Sequence, residues 1–265
     1  MKIIALVSSY RRKGNTARVV ELVAKALGEI SSQKGDVLDF EMVYLGHLDI
    51  EMCRGCRVCF NQGEAQCPMQ DDLLGIKAKL LAADAVILAS PVYVEDVNGI
   101  MKNWIDRMAH VCHRPEFAGK YAYLLTTSGV GSTNHALRTL NTALRTWGFY
   151  IIGQTGFRTG AYMWQADLER HYEDKTSKIA GEIVTAIHTQ KASRPAFLSM
   201  MTFKIQQAYW KKPPEDPNER HDYEYWRRKG WTDPQREFYI WHKSSRVKAV
   251  IARMTGALLA KFVVQ

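Results

Sequence analysis

The segment Cys53-x2-Cys56-x2-Cys59-x7-Cys67, followed directly by Pro68, gathers four of the five cysteines of a 265-residue chain. Thiolates at this density serve soft metals, and a CxxCxxC triplet is the spacing that wraps one corner of a cubane [4Fe–4S] cluster. Structural zinc usually uses two separated CxxC pairs, a pattern this segment lacks. Four thiols without a ligand have no packing rationale. The residues by themselves leave three roles open: an iron–sulfur cluster first, then a zinc ion or bare redox thiols. Disulfides need an oxidising compartment, and the first residues carry no secretory pattern, so a cytoplasmic setting is expected. Cys112, in an apolar helical context, is expected to be a small buried hydrophobe.

Three further loops carry residues suited to a planar, phosphorylated ligand. Ser8-Ser-Tyr-Arg-Arg-Lys-Gly-Asn-Thr16 joins hydroxyls and guanidinium groups to the start of a helix. Free N–H groups and the helix dipole favour a phosphate there, with Ser9, Asn15 and Thr16 as extra donors and Arg11 as countercharge. The loop lacks the GxxxxGK[ST] of a nucleoside triphosphate site. In Ser90-Pro91-Val92-Tyr93, Pro91 stiffens the chain and Tyr93 can lay an aromatic face beside a ring. In Thr126-Thr-Ser-Gly-Val-Gly131, glycines let the backbone approach a ring and donate N–H groups to its carbonyls. Each loop alone reads equally well as an ordinary turn. Their convergence on one sheet edge is what favours a ligand.

That edge follows from the elements. Lys2–Val7 and Ala85–Ala89 are continuous apolar runs, the pattern of strands buried on both faces. Further strands are expected near Phe40–Leu45, Tyr121–Thr127 and Phe149–Thr155. Between them lie helical patterns: Val19, Val20, Val23, Ala24 and Leu27; Leu73, Ile76, Leu80 and Leu81 after an Asp71-Asp72 cap; Asn98–Val111; Asn134–Trp147; and Leu168–Ala186. Five strands alternating with helices predict an α/β fold with a parallel sheet in the order 2-1-3-4-5. Ligands bind such sheets at the carboxyl ends of the strands.

Together these residues resemble the flavodoxin-like NAD(P)H-dependent FMN reductase family, and within it the iron–sulfur flavoproteins, over about residues 1–190. The family's GSxRxxGNT loop corresponds to Ser8–Thr16. Its SPxYxxxxxGxxKxxxDR loop corresponds to Ser90, Pro91, Val92 and Tyr93 and then Gly99, Lys102, Asp106 and Arg107. Ser128, Gly129 and Gly131 match the third loop more loosely, and the compact cysteine motif is complete. Ser8 stands where the family usually has glycine, and Val94 where an aromatic is frequent, which would open the outer face of a flavin to a larger substrate. The resemblance implies FMN at Ser9, Arg11, Asn15, Thr16, Pro91, Val92, Tyr93, Ser128, Gly129 and Gly131. It implies a [4Fe–4S] cluster on Cys53, Cys56, Cys59 and Cys67, NAD(P)H as reductant, a small-molecule or protein electron partner, and a homo-oligomer. No catalytic side chain is required for hydride transfer. The rival reading is a non-enzymatic electron carrier or redox sensor that docks a partner through its tail.

That tail, residues 191–265, is an extension with no counterpart in the minimal family domain. From Lys191 onward there are 15 Lys and Arg against 7 Asp and Glu, so almost all of the chain's net charge of +9 lies here. Helices are expected at Phe197–Trp210 and Ser244–Val264, the second with an apolar stripe of Val247, Val250, Ile251, Met254, Leu258 and Phe262. Such a stripe packs on the body or a second subunit, or lies on an anionic membrane surface. No nucleic-acid module is present, and no apolar run is long enough to span a bilayer. The aromatic stretches Tyr223–Trp231 and Phe238–Trp241 are expected to form a small core, with an interface or a lid as the alternative. His110 and His113 show no ligand spacing and are expected to be structural or exposed.

Overall fold

The structure is a computed structural model and describes residues 1–161, 163–190 and 194–263. The expected boundary at 190/191 and the last residue of the second tail helix, Val264, thus fall at or beyond the edge of the described residues.

Strands β1 (Lys2–Val7), β2 (Asp39–Tyr44), β3 (Ala85–Tyr93), β5 (Tyr121–Ser128) and β6 (Tyr150–Arg158) form a parallel sheet in the order β2-β1-β3-β5-β6. This is the expected 2-1-3-4-5 arrangement with one addition. β4 (Asp96–Val97) folds back antiparallel onto Val92 and Tyr93 as a hairpin off the main path. Alternation along each strand sends side chains to both faces. Ile4, Leu6, Val86 and Leu88 pack under α3 (Leu73–Ala82), α4 (Gly99–Arg107) and α5 (Asn134–Thr146). Ile3, Ala5, Val7, Ile87 and Ala89 pack under α1 (Asn15–Lys34) and α6 (Gln165–His188). The apolar runs in β1 and β3 are continuous because both faces are covered.

Several boundaries differ from the sequence expectation for local reasons. The 98–111 helix breaks: α4 ends at Arg107 and a 3-10 turn follows over Ala109–Cys112. Asn98 caps α4 by accepting from the Met101 amide at 3.2 Å, an N-cap role that follows from its short polar side chain. Of the Asp71-Asp72 pair, Asp71 caps α3 as expected, its Oδ1 accepting from the Leu73 amide at 3.1 Å while it also pairs with Arg107. Asp72, at the N-cap position, makes no cap bond and accepts from the Asp49 amide at 2.8 Å instead. The last strand, β6, carries a bulge at Ile152, opposite the Ala122–Tyr123 step of β5, and Gly153 beside it lies so close to the Tyr123 ring that a Cβ would stand 2.7 Å away.

The extension is helical: α7 (Phe197–Tyr209), α8 (Arg220–Arg228) and α9 (Arg246–Val263). Its aromatic stretches do form a core, with Tyr225, Trp226, Trp231, Phe238 and Tyr239 buried around Met200 and Phe203. Trp231 Nε1 donates to the Tyr239 carbonyl at 3.0 Å, so the indole is satisfied where it is buried. The expected packing of the α9 stripe on the body is not found. Val247, Val250, Ile251, Met254 and Leu258 are exposed, while Ala249, Ala252 and Ala260 are buried. Gly256 explains the choice: a Cβ there would meet Lys204 Cβ at 2.8 Å and the Met201 carbonyl at 3.0 Å, so α9 packs on α7 by its small face.

Candidate active site: a flavin edge and a cysteine cavity

All five parallel strands point the same way, so the loops after β1, β2, β3 and β5 meet at one edge. In the first loop the Ser9 hydroxyl accepts from the Arg11 amide at 3.1 Å, and Gly14 donates to the Arg11 carbonyl at 3.1 Å. This turn delivers the chain to α1, whose N-cap, Gly14, offers no side-chain acceptor to the first-turn amides. Arg11, Arg12, Lys13, Gly14 and Asn15 line a cavity of about 440 Å³ there. Unsatisfied helix N–H groups beside three cations suit a phosphate. Asn15 Nδ2 donates to Thr159 Oγ1 at 2.8 Å, and the Thr16 and Thr127 hydroxyls bond at 2.6 Å. These two contacts tie the first loop to the ends of β5 and β6.

The second loop is the β3–β4 hairpin. Tyr93 is exposed at its end, and Val94 and Glu95 form the tip with φ of 49° and 68°. A β-branched residue in the left-handed region is strained, and such strain gathers at ligand clamps. Pro91 and Val92 are half-buried at the base. In the third loop Gly129 and Val130 are exposed while Ser128 is buried, its carbonyl accepting from the Thr159 amide at 2.9 Å. Gly131 lies against the hairpin tip, since a Cβ there would stand 3.2 Å from Glu95 Oε1. The structure thus brings Ser9, Arg11, Asn15, Thr16, Pro91, Val92, Tyr93, Ser128, Gly129 and Gly131 to one edge. Ser8, the departure from glycine, is buried and causes no break: its amide donates to the Ala89 carbonyl at 2.9 Å.

The loop after β2 starts against the first: Gly46 lies so close to Ser9 and Tyr10 that a Cβ would come within 3.0 Å of both, and His47 Nε2 lies 2.9 Å from the Tyr10 carbonyl. Beyond it Cys53, Cys56, Cys59 and Cys67 all line one cavity of about 170 Å³. Gly55 and Arg57 take φ of 66° and 63°, reversing the chain between successive cysteines. The short α2 (Val58–Asn61) then carries Cys59 inward. Burial pushes the Cys59 thiol up, and Cys67 beside it pushes further, with Arg114 opposing. A thiol held up by burial and by a neighbouring sulfur is relieved by a cation bound to both, which is the chemistry of a metal-ligand set.

Charged groups behind this cavity fix the loop. Arg107, buried, is bidentate to Asp71, donates to the Glu51 carbonyl at 2.7 Å and stands 3.9 Å from Cys67 Sγ. Burial opposes the charge on Asp71, yet Arg107 outweighs it and holds the carboxyl below its usual range. Asn103 accepts from the Cys53 amide at 3.3 Å and donates to the Ile50 carbonyl at 3.1 Å. At the other end of the same helix Asn98 Nδ2 donates to the Ser8 carbonyl. α4 therefore holds the first flavin loop by its start and the cysteine loop by its end, about 13 Å apart at 1.5 Å per residue. Arg114 donates to the Cys59 carbonyl at 2.7 Å and to Glu64 at 3.0 Å.

Glu64, His110 and Glu116 place ligand atoms within 4.8 Å of one another. The Lys77 ammonium sits among them, donating to Glu64 and, at 2.8 Å, to Glu116, with His110 Nε2 at 3.5 Å. A cation already balances these carboxylates, so the trio is an ion-pair knot. His110 is fully buried and His113 half-exposed, so both are structural as expected, though each has a charged neighbour that spacing alone did not show. Sequence reasoning gave no role to Arg107, Asn103, Arg114, Lys77 or Asp222. Only Arg107 left a signal, as the last residue of the second loop's motif.

An α/β sheet with anion-binding, aromatic and glycine loops at one edge is a flavin-binding architecture. A family model described as NADPH-dependent FMN reductase matches residues 1–162, and the chain belongs to that family of FMN-dependent oxidoreductases. An iron–sulfur flavoprotein of Archaeoglobus fulgidus is 29% identical over 236 residues, covering 87% of this chain and 100% of the relative. Iron–sulfur flavoprotein MJ1083 of Methanocaldococcus jannaschii is 34% identical over 107 residues, 40% of this chain and 51% of the relative. Among solved structures, a flavone reductase overlays with a TM-score of 0.58 at 14% identity, covering 74% of this chain and 66% of that one. RosB, with 8-demethyl-8-formylriboflavin-5'-phosphate bound, overlays at 0.55 and 17% identity, covering 72% and 79%. These two likenesses are of fold. No helix among the described residues is long and apolar enough to cross a membrane.

Proposed function

We propose that this chain is an NAD(P)H-linked FMN oxidoreductase in which Cys53, Cys56, Cys59 and Cys67 hold a [4Fe–4S] cluster and electrons leave one at a time. The observation that carries this reading is that four cysteines line one cavity on the sheet edge that also carries the flavin loops. The names of the relatives support the same reading.

FMN would supply the exchange between a two-electron donor and single electrons, and the cluster a one-electron carrier. The chain's own residues bind and position. The α1 amides and Arg11 hold phosphate, Tyr93 and the Gly129–Gly131 backbone flank a ring, and Arg107 places positive charge beside Cys67. α4 sets the separation between the two sites.

Metal, acid-labile sulfide and flavin content of anaerobically purified protein tests this directly. About four irons and four sulfides beside one flavin per chain are expected. Flavin with zinc or no metal would reduce the cysteines to a structural or thiol role and remove the cluster. Rapid oxidation of NADH or NADPH separates the enzyme from a carrier whose flavin only another protein reduces.

A further inference from the structure

We infer that α9 is a docking helix for an anionic lipid surface, lying on it by the face that the fold leaves uncovered. The helix has two apolar sides, and the structure decides between them. Ala249, Ala252, Gly256 and Ala260 face α7, where the absence of side-chain bulk lets the helices approach closely. Val247, Val250, Ile251, Met254 and Leu258, with between 42% and 68% of their surface exposed, run along the opposite side. At 100° per residue these five positions cluster about half a turn from the buried four, a single stripe along the outside of the helix.

Charge selects the occupant. From Phe238 to Gln265 the sequence holds Lys243, Arg246, Lys248, Arg253 and Lys261 and not one Asp or Glu. At helical spacing Arg253 falls on one side of the stripe and Lys248, which donates to the Pro195 carbonyl at 2.7 Å, on the other, while position 261 falls within it and Lys243 precedes the helix, so basic residues surround the apolar face as in a helix lying in a headgroup layer. Arg253 and Lys243 are exposed and available to lipid phosphates. Trp241, 70% exposed just ahead of the helix with Lys243 over its ring, is the type of residue that settles at a membrane interface. A second copy fits less well. Two such helices meeting face to face would oppose basic residues with basic residues, and neither helix carries a carboxylate to answer them. The helix is too polar to cross a bilayer, so the contact is peripheral.

The test is sedimentation of the purified flavin-loaded chain with vesicles of phosphatidylcholine alone and of phosphatidylcholine with about 30 mol % phosphatidylglycerol, in low and high salt. Binding to the anionic vesicles only, weakened by high salt, is expected. Ile251→Glu and, independently, Arg253→Glu should each lower the bound fraction at least about tenfold while flavin content and far-UV circular dichroism stay unchanged. These are exposed positions far in sequence from the flavin and cysteine loops, so a folding failure would be visible in the same samples. No binding to anionic vesicles would overturn the inference, as would binding indifferent to both variants. So would a light-scattering mass of a dimer that Ile251→Glu converts to a monomer, because that assigns the stripe to a second copy.

Discussion

Asp222 of the C-terminal extension is buried against Arg114, which pairs with it and also donates to the Cys59 carbonyl at 2.7 Å. The same carboxylate accepts from His113 Nδ1 at 2.7 Å, and Gly63 in the cysteine loop lies so close to His221 that a Cβ would come within 2.9 Å of its ring. The extension is thus the outer wall of the loop that carries the cysteines.

Buried Arg114 pairs with two carboxylates, Asp222 and Glu64. Asp222→Ala should lower stability by about 1–3 kcal/mol, since Arg114 would keep its charge with only Glu64 to balance it. Because Arg114 also holds Cys59, iron retention should fall more than flavin retention. Urea unfolding together with iron and flavin content checks this. Equal loss of both would mean that the extension stabilises the body without supporting the cysteine loop in particular.

Arg107→Lys keeps a charge and loses the fork that binds Asp71 at two points while reaching the Glu51 carbonyl. A point charge cannot satisfy these directions. The expected result is a cysteine loop that loads iron less completely, with Cys thiols more reactive toward an alkylating reagent. Unchanged iron content and thiol reactivity would remove Arg107 from the support of Cys67.

Cys56 is exposed, so Cys56→Ser should leave the fold intact and abolish the full iron complement. Normal iron content in this variant would take Cys56 out of the ligand set. In the first loop Arg11 is exposed and contributes a charge rather than packing. Arg11→Ala should weaken FMN binding about tenfold, the scale of one charge-assisted contact to phosphate. Fluorescence titration of the flavin into apoprotein reads this.

The knot behind the cysteine cavity predicts acid lability. Burial, with the Lys77 and Arg114 charges, pushes His110 down to about 3 from an ordinary 6.5. The unfolded chain therefore binds a proton below 6.5 that the folded chain refuses, and stability falls as pH drops from there toward 3. Burial raises the Glu64 carboxyl, but hydrogen bonding and attraction from Lys77 outweigh it and hold the group down to about 2. Its contribution is complete above 4.5 and lost as pH falls from 4.5 toward 2. Urea midpoints measured from pH 7 downward should decline in two stages. His110→Gln should flatten the first stage and leave the second.

What could be read from the chain is local. The strands β1 and β3 are legible because burial on both faces leaves unbroken apolar runs, and the flavin loops because phosphate and ring binding need particular residues within a few positions. The cysteine set is legible for the same reason: its ligands are close in sequence. α4 was legible as a helix, but its double attachment was not, because Asn98 and Arg107 find their partners in loops that approach only once the sheet is assembled. Arg114 and Asp222 are 108 residues apart, and no periodicity relates them. Lys77 reads as one polar residue in an amphipathic helix until Glu64, His110 and Glu116 surround it. α9 shows the division most plainly. Its composition determines an amphipathic basic helix, yet both a small-residue side and a large apolar side could be buried. Tertiary structure decides, because Gly256 and the alanines let α9 approach α7 more closely than Ile251 and Met254 could, and that leaves the larger stripe outside.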